Sequence, residues 1–532
     1  MRNLQLKNVF LLFVTTAMLL NSSCKKMLDV KPDDYIITPE SYYTSKSQLE
    51  TALRGMYAIL ANGTLYGGNM LGRMGLEADE GFCHYDVDRG TFAYYEGNGT
   101  DSKVLNYWRD VYAGINRANY LLAGVDNPAI GIAPEERLNI KGQALFLRGY
   151  LYFMLVSKFG AVPLILTPSV SGKAEDVQIP RTPATEVYRQ ILQDMTQAAD
   201  MVYDVSKVQS GGTISKSAVW GVLARVCLYM AGKPINDASK YAEAAQWAAK
   251  VIQLGKHDLN ASYKQIFINY AQDLYDIKES IWEVEFYGNG TGIYSNTGGQ
   301  VGRNNGIQYS GSGKYGYSIG AIHTTEWLYN RYKLNDLRRD WAIAPYRYVA
   351  DTIQYWSVST SLLARYSGKF RREYETLLPK STASTPQNFP LLRYADVLLM
   401  YAEALNESNG SPTAEAYEAI NQVRRRAIGA NAHAPNATVD ITSMSYAAFK
   451  QELKEERARE LCFESLRKND LVRWGDFFAN MKTRLLEVPG GTTSYVVSAR
   501  LYYTNASERD VLWPIPTYEM GVNAQLTQNN GW

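Results

Sequence analysis

Apolar side chains recur every three to four residues over several long stretches of the chain, which is the spacing of one helix face. The stretches 46–61, 103–123 and 134–159 show it first, and the third is followed by Gly160 and Pro163, residues typical of a helix end. The same spacing predicts helices over 183–203, 215–231, 238–254, 391–407, 412–428, 445–466 and 467–480. The fold is therefore predicted to be mainly α.

The predicted helices follow one another through short turns, an order typical of helix-turn-helix repeats. Small residues that would let neighbouring helices pack closely include Gly142, Gly149, Gly221, Ala395 and Ala402. Degenerate tetratricopeptide-like helix-turn-helix repeats are thus the predicted architecture. The repeat consensus is not matched closely, so ordinary helix packing without repeat symmetry stays open as the alternative.

Two stretches, 62–102 and 281–390, break the helical pattern. The second opens with the alternating run IWEVEF, which predicts a strand, and its part 288–320 is rich in glycine with interleaved tyrosines. A long loop inside a compact chain is usually functional or disordered, and its many aromatic residues argue against disorder. We expect an irregular, loop-rich ligand-side region here, outside the core.

Tyrosine is unusually frequent, at 40 residues against 15 Phe and 10 Trp. Sugar recognition needs flat aromatic faces for the C–H surface of a pyranose, and amide, carboxylate or guanidinium groups for its hydroxyls. In the two loops, stacking on sugar is predicted for Tyr85, Tyr94, Tyr95, Tyr309, Tyr315 and Tyr317. Polar contacts are predicted for Asn98, Arg303 and Asn304. Such loops also form protein-binding surfaces, so a protein ligand stays possible.

The N-terminus is typical of an export signal, with a basic start and an apolar run over 9–20 that is too short to span a bilayer. The step Leu20-Asn21-Ser22-Ser23-Cys24 resembles a lipoprotein signal, although Leu lies four residues before the cysteine instead of three, which leaves cleavage elsewhere open. We predict a signal peptide over 1–23, lipidation of Cys24 and a tether over 24–38. Acyl chains on Cys24 would give stable membrane attachment.

Charge and motif patterns exclude several classes of partner and cofactor. With 55 Lys+Arg against 53 Asp+Glu, nothing favours a nucleic acid. The four histidines lack zinc-ligand spacing, and the acidic residues within 79–88 lack EF-hand spacing, although a calcium ion there stays open. Residues 311–316 match G-x-G-x-x-G literally, but without the βαβ frame of a dinucleotide fold. No cofactor and no metal is predicted.

Charged residues in the C-terminal helices predict ion pairs between packed helices. Glutamates repeat every four residues on one helix: Glu456, Glu460 and Glu464. Arg393, Asp396 and Glu403 would fall on one helical face, the pattern of a buried ion-paired seam. Because no nucleophile motif accompanies these groups, catalysis is not expected.

Seven segments carry a family resemblance. They are RGYLYFMLVSKFGAVPLIL (148–166), ISKSAVWGVLARVCLYM (214–230), GKFRREYE (368–375), FPLLRYADVLLMYAEALNE (389–407), AINQVRRRA (419–427), ERARELCFESLRKNDLVRWGDF (456–477) and VLWPIPTYEMGVNAQLTQNNGW (511–532). Together, and in this order, they resemble the SusD/RagB family of outer-membrane nutrient-binding lipoproteins. They lie on the predicted scaffold and tail, so no binding residue is carried over from the family.

The resemblance implies a surface lipoprotein that binds glycan or another nutrient. It would sit on the outer membrane, facing the cell exterior, and deliver oligosaccharide to a SusC-like TonB-dependent transporter. We expect an N-terminal helical region over 39–280, a loop-rich insert over 281–390 and a C-terminal region with its tail over 391–532.

Two other functions stay open on the sequence alone. One is an interaction scaffold of the transporter without a small ligand of its own. The other, less favoured, is a glycoside hydrolase that would use loop carboxylates such as Asp79 and Glu80 on two sides of a cleft.

Overall fold

The computed structural model describes residues 42–169, 173–290, 298–311 and 313–532. The predicted signal peptide, Cys24 and the tether over 24–38 lie outside the described residues. Within the described ranges, none of the helices is both long and apolar enough to cross a membrane.

Seven helices form the N-terminal part of a stack. They are α1 (Lys46–Leu60), α2 (Ser102–Gly124), α3 (Pro134–Phe159), α4 (Ala184–Met201), α5 (Lys216–Ala231), α6 (Lys240–Gln253) and α7 (Tyr263–Gln272). From α1 to α6, each helix packs against the next. Their ends follow local rules: Ser45 and Gln48 form a capping box before α1, and Gly160 ends α3 with a positive φ of 69°.

Short elements lie between the two helical parts of the chain, and one further strand, β1 (Gly81–Cys83), lies in loop 62–102. The helices are α8 (Val301–Asn305), α9 (Glu326–Arg331) and α10 (Arg339–Ala342). The strands are β1 (Gly81–Cys83), β2 (Ser280–Val284), β3 (Ile322–Thr324), β4 (Tyr346–Val349), β5 (Thr352–Tyr355) and β6 (Phe389–Arg393). The described strands pair antiparallel as β1–β3, β2–β6 and β4–β5. Strand β2 confirms the strand predicted from IWEVEF.

The remaining helices complete the stack and the C-terminal face. They are α11 (Tyr394–Asn409), α12 (Ala414–Ala427), α13 (Tyr446–Leu461), α14 (Arg467–Trp474), α15 (Phe477–Glu487), α16 (Ser494–Asn505) and α17 (Thr517–Val522). Helix α11 packs against α6, α12 and α13, so it joins the two helical parts. The prediction of a mainly α fold of degenerate tetratricopeptide-like repeats is confirmed. Helices α7 and α16 and the short helices were not predicted, and the single helix predicted over 467–480 is divided at Gly475 into α14 and α15, of which α15 extends to Glu487.

The expectation that residues 288–320 lie outside the core is wrong for the described part of this range, 288–290, 298–311 and 313–320. Val301 is fully buried in the main hydrophobic core, together with Phe286 and Phe389. The buried amide of Asn305 donates from Nδ2 to the carbonyl of Phe463 at 2.8 Å. Side-chain amides and tyrosine hydroxyls can satisfy the polar groups of an irregular backbone, which lets this segment pack inside the protein.

The predicted ion pairs are confirmed, and they form a buried network around Arg393. Its guanidinium lies 2.9 Å from Glu279, 2.8 Å from Glu460 and 2.8 Å from Glu464. Arg426 also pairs with Glu460 at 2.6 Å. Burial alone would raise the pKa of Glu460, but the arginines outweigh it and hold that pKa at about 2. The network joins β2, β6, α12 and α13.

A second buried set contains the other two residues of the predicted seam. Asp396 lies 2.5 Å from Arg225 of α5 and 2.7 Å from Arg457 of α13. Glu403 pairs with Arg473 of α14. The seam therefore connects α11 to three other helices.

Candidate functional site

The structure encloses the tyrosines predicted in loop 62–102. Tyr94 is fully buried and its hydroxyl accepts from the backbone N–H of Tyr85 at 3.0 Å. Tyr95 is 1 % exposed; its hydroxyl donates to the carbonyl of Gly75, and its ring packs edge-on against Tyr502 of α16. Both rings fill a hydrophobic cluster between the loop and α16, so neither offers an open face to a ligand.

The same holds for most of the predicted residues of the second loop. Tyr309 and Tyr315 are 6 % and 4 % exposed, and Tyr315 stacks on Tyr348 with ring centroids 4.0 Å apart. The hydroxyl of Tyr309 donates to Asp351. Asn304 is fully buried and donates from Nδ2 to the carbonyl of Gly68 at 3.1 Å. These side chains hold the two loops in place.

Four predicted residues reach solvent. Asn98 is exposed and accepts from the backbone N–H of Thr100 at 2.8 Å. Tyr85, Arg303 and Tyr317 are partly exposed, and the Arg303 guanidinium lies 5.7 Å from the centre of the Tyr317 ring. Direct contact with a ligand stays a prediction for these four. The structure does not bring all nine residues into one surface patch.

The carboxylates of the hydrolase alternative are enclosed. Asp79 is fully buried and pairs with Arg467 at 2.6 Å. Glu80 is 1 % exposed and accepts from the backbone N–H of Phe463 at 2.7 Å. Burial raises the pKa of Glu80 well above its usual range, despite the nearby Arg467. Neither carboxyl group faces a cleft where a glycosidic bond could bind.

A three-segment ladder brings aromatic side chains from distant parts of the chain together. In the β1–β3 pair, Phe82 lies opposite His323, and the backbone N–H of His84 donates to Ala321 at 2.8 Å. On the other side of β3, His323 forms a bridge with Tyr366. The ladder thus fixes loop 62–102, β3 and the segment around Tyr366 side by side.

Four rings follow one another across this ladder. His84 and His323 have centroids 4.5 Å apart, and His323 and Tyr366 have centroids 4.7 Å apart, both edge-on. Trp356 follows at 6.2 Å from Tyr366. His323 is buried, whereas His84, Tyr366 and Trp356 are partly exposed. Three of the four rings are therefore partly exposed: Tyr366 and Trp356 are neighbours, and the buried ring of His323 separates them from His84.

Hydrogen bonds and burial fix the two imidazoles. Nδ1 of His323 lies 2.8 Å from the carbonyl of Leu363, and because a carbonyl only accepts, this nitrogen carries the proton. Burial, with help from His84, lowers the pKa of His323 to about 3. Burial also lowers the pKa of His84, against the opposing effect of Asp86. Both rings are therefore neutral at neutral pH.

The β4–β5 hairpin places polar groups beside Trp356. Cross-strand partners in an antiparallel pair share a face, so Arg347 and Gln354 lie together. Nε of Arg347 donates to Oε1 of Gln354 at 2.9 Å, and the guanidinium lies 5.2 Å from the Trp356 ring centre. The indole N–H of Trp356 donates to the carbonyl of Ala344 at 3.0 Å, which anchors the ring.

A glycine permits the polar contact beside Tyr366. Gly320 has a φ of +58°, and a Cβ there would lie 2.8 Å from Cβ of Gln308 and 3.0 Å from the Tyr366 ring. Only glycine accommodates both constraints. The hydroxyl of Tyr366 then donates to Oε1 of Gln308 at 2.7 Å.

We call this patch the ring surface. Its members are His84, Tyr366, Trp356, Gln308, Gln354 and Arg347. Partly exposed rings supply flat apolar faces, and two amides and a guanidinium supply directed hydrogen bonds. That combination suits a chain of sugar rings, whose C–H faces stack while the hydroxyls bond at the edges.

Two family models match the chain. The model described as "SusD family" matches residues 360–532, and the model described as "Starch-binding associating with outer membrane" matches residues 26–228. The chain belongs to the SusD/RagB family. The matched ranges together take in α1 to α4, most of α5, and α11 to α17.

Similar proteins agree with this family. A "SusD-like protein P2" of Formosa agariphila is 27 % identical, with 93 % of this chain and 94 % of that protein covered. The "Starch-binding protein SusD" of Bacteroides thetaiotaomicron is 24 % identical, with 76 % and 74 % covered. The crystal structure of a SusD homolog from B. thetaiotaomicron superposes with a TM-score of 0.85 at 28 % identity, covering 93 % of this chain and 98 % of that one.

The ring surface of this SusD/RagB protein was missed from the sequence. Loop 62–102 was selected, but His84 was overlooked in favour of its tyrosine neighbours. One signal was available. In YRYVADTIQYW (346–356), aromatic or aliphatic residues alternate with polar ones on both sides of a short turn, which predicts a β-hairpin that ends at Trp356. Tyr366 carried no such signal, because only the bridge to His323 brings it to the surface patch.

Proposed function

We propose that this protein binds oligosaccharide on the ring surface and passes it to a SusC-like TonB-dependent transporter of the outer membrane. The single observation that carries glycan binding is the row of partly exposed rings with amides at its edge. Family membership supports it, since a family model is described as starch-binding and a relative is named a starch-binding protein.

Replacement of Trp356 by alanine is expected to weaken glycan binding about fivefold, because it removes a stacking face worth about 1 kcal/mol. The measurement is affinity electrophoresis of the purified protein through gels that contain plant, host or microbial polysaccharides. A combined Trp356→Ala, Tyr366→Ala variant should show no retardation.

Tyr355→Ala is the matched control. Tyr355 is 71 % exposed and precedes Trp356 in the chain, but it lies on the opposite face of the hairpin with Tyr346. Equal loss of retardation in Tyr355→Ala and Trp356→Ala would contradict the placement of the site. Absence of retardation by every polysaccharide for the unaltered protein would favour the scaffold alternative.

We also propose that Cys24 carries the lipid anchor and that the ring surface faces the cell exterior. The family model described as "associating with outer membrane" and the lipoprotein-like step before Cys24 support this. Cys24→Ser should move the protein from the membrane fraction to a soluble fraction, because no acyl chain can attach. Retention of the variant in the membrane fraction, at the level of the unaltered protein, would contradict anchoring at Cys24.

A further inference from the structure

The ring surface carries one positive charge that nothing in the described part of the chain neutralises. Arg347 is exposed, and its described contacts are the amide of Gln354 and the ring of Trp356, both uncharged groups. Its Nε donates to Gln354, and its two terminal nitrogens form no hydrogen bond with the described part of the chain. The charge lies beside two rings of the row: burial raises the pKa of Tyr366, and the charge of Arg347 opposes that rise.

The carboxylates that bond to the hairpin region lie on its other face. Tyr346 and Tyr348 share the face opposite to Arg347, and their hydroxyls donate to Glu373 at 2.7 and 3.1 Å. Asp351 accepts from Tyr309, which packs edge-on against Tyr348. The hairpin therefore separates charge, with its acidic groups among the tyrosines and its guanidinium toward the ring surface.

At the opposite end of the row, His84 is neutral at neutral pH because burial lowers its pKa, and the nearby Asp86 carboxylate acts against this shift. Arg347 is thus the permanent charge at the Trp356 end. A guanidinium beside a stacking platform can form paired, charge-assisted hydrogen bonds with a carboxylate or a sulfate group on a stacked sugar.

We propose that the ring surface selects anionic glycans, and that Arg347 is the specificity residue that reads a carboxylate or sulfate on the sugar bound at Trp356. This inference rests on the proposed glycan binding. Neutral sugars would still stack on Trp356 and Tyr366, so the guanidinium adds preference to a site that already binds.

The test compares matched ligands that differ only in charge. Polygalacturonate is paired with its carboxyl-reduced form, and a sulfated galactan with its desulfated form, and dissociation constants are measured for each by calorimetry on oligosaccharides. The unaltered protein is expected to bind one anionic form about fivefold to tenfold more tightly than its neutral partner. Comparison of the uronate and sulfate pairs shows which anionic group is recognised. Added salt should weaken binding of the anionic form and leave binding of the neutral form unchanged.

Arg347→Gln should remove this preference and leave the affinity for the neutral form within about twofold. Arg347→Lys should keep part of the preference, because it retains the charge but not the planar pair of donors. Arg54→Gln is the control, since Arg54 is an exposed arginine of α1, away from the ring surface, and its loss should change neither affinity.

The outcomes separate the two proposals. Equal affinity for the charged and neutral partners, or a preference that survives in Arg347→Gln, overturns the selection of anionic glycans and leaves glycan binding intact if Trp356→Ala still weakens it. No binding of either member of any pair overturns the proposed function itself.

Discussion

Replacing Arg393 by methionine is expected to lower the free energy of unfolding by about 3–5 kcal/mol, because it leaves buried carboxylates without their shared cation. Glu279 and Glu460 are fully buried, and Glu464 is 4 % exposed, so water cannot take over the role of the guanidinium. The measurement is urea unfolding followed by far-UV circular dichroism at neutral pH.

The matched control is Arg54→Met. The Arg54 side chain is 67 % exposed and its closest carboxylate contact is 4.0 Å, so its loss should change stability by less than about 0.5 kcal/mol. Arg393→Lys keeps the charge but makes fewer hydrogen bonds, so its free energy of unfolding should lie between those of Arg393→Met and Arg54→Met. It also keeps the prediction testable if Arg393→Met does not fold. Equal urea midpoints for Arg393→Met and Arg54→Met would contradict the network.

At acid pH, the free energies of unfolding of the unaltered protein and of Arg393→Met should differ less than at neutral pH. The pKa of Glu460 in the folded protein is about 2, below its usual value of 4.5, so its contribution to stability is present above about pH 4.5 and is lost as the pH falls toward 2. In the variant, protonation relieves the unpaired carboxylates. The stability difference at about pH 4 should therefore be smaller than at neutral pH.

Trp513→Ala is expected to lower the free energy of unfolding by about 3–5 kcal/mol, since it removes a large ring from the point where the C-terminal tail packs against the helices. Trp513 is 1 % exposed and its ring lies edge-on to Tyr107 of α2 and Phe159 of α3, with centroids 5.1 and 5.8 Å apart. Phe92 of loop 62–102 packs at 6.1 Å. The variant should therefore also become more sensitive to protease within loop 62–102, which limited proteolysis measures.

Trp356→Ala serves as the control for ring size. Trp356 is partly exposed on the hairpin, so its removal leaves no closed cavity and should cost less than about 1 kcal/mol. A similar loss of stability in both tryptophan variants would show that Trp513 is not the anchor that its packing indicates. The two variants should also differ in function, because Trp356→Ala weakens glycan binding whereas Trp513→Ala lowers stability.

The scaffold could be predicted because its signals are local. Helix periodicity, small packing residues and the four-residue spacing of Glu456, Glu460 and Glu464 each depend on neighbours within two turns. Burial and ion pairing of Arg393, Asp396 and Glu403 were predicted in the same way, but Arg393 ends strand β6 and belongs to a separate network, so only Asp396 and Glu403 lie on the helix α11.

The site could be predicted only in part, because burial of an aromatic residue depends on distant contacts. Tyr94 and Tyr95 have the composition of a binding loop, yet α16 encloses them from more than four hundred residues away in the chain, as the contact of Tyr95 with Tyr502 shows. Tyr366 has no local feature of a binding residue, and the bridge to His323 alone brings it into the row. Residue type indicated the chemistry of the site, and tertiary pairing decided which residues can supply it.

The β4–β5 hairpin forms a two-stranded sheet of its own, and side chains such as Tyr346 and Tyr348, which donate to Glu373, hold it against the rest of the protein. A change in its length or sequence would leave the ladders that hold β1, β3 and β6 untouched. We therefore expect that the proposed sugar preference can diverge by exchange of about ten residues of the hairpin, without a new scaffold having to evolve.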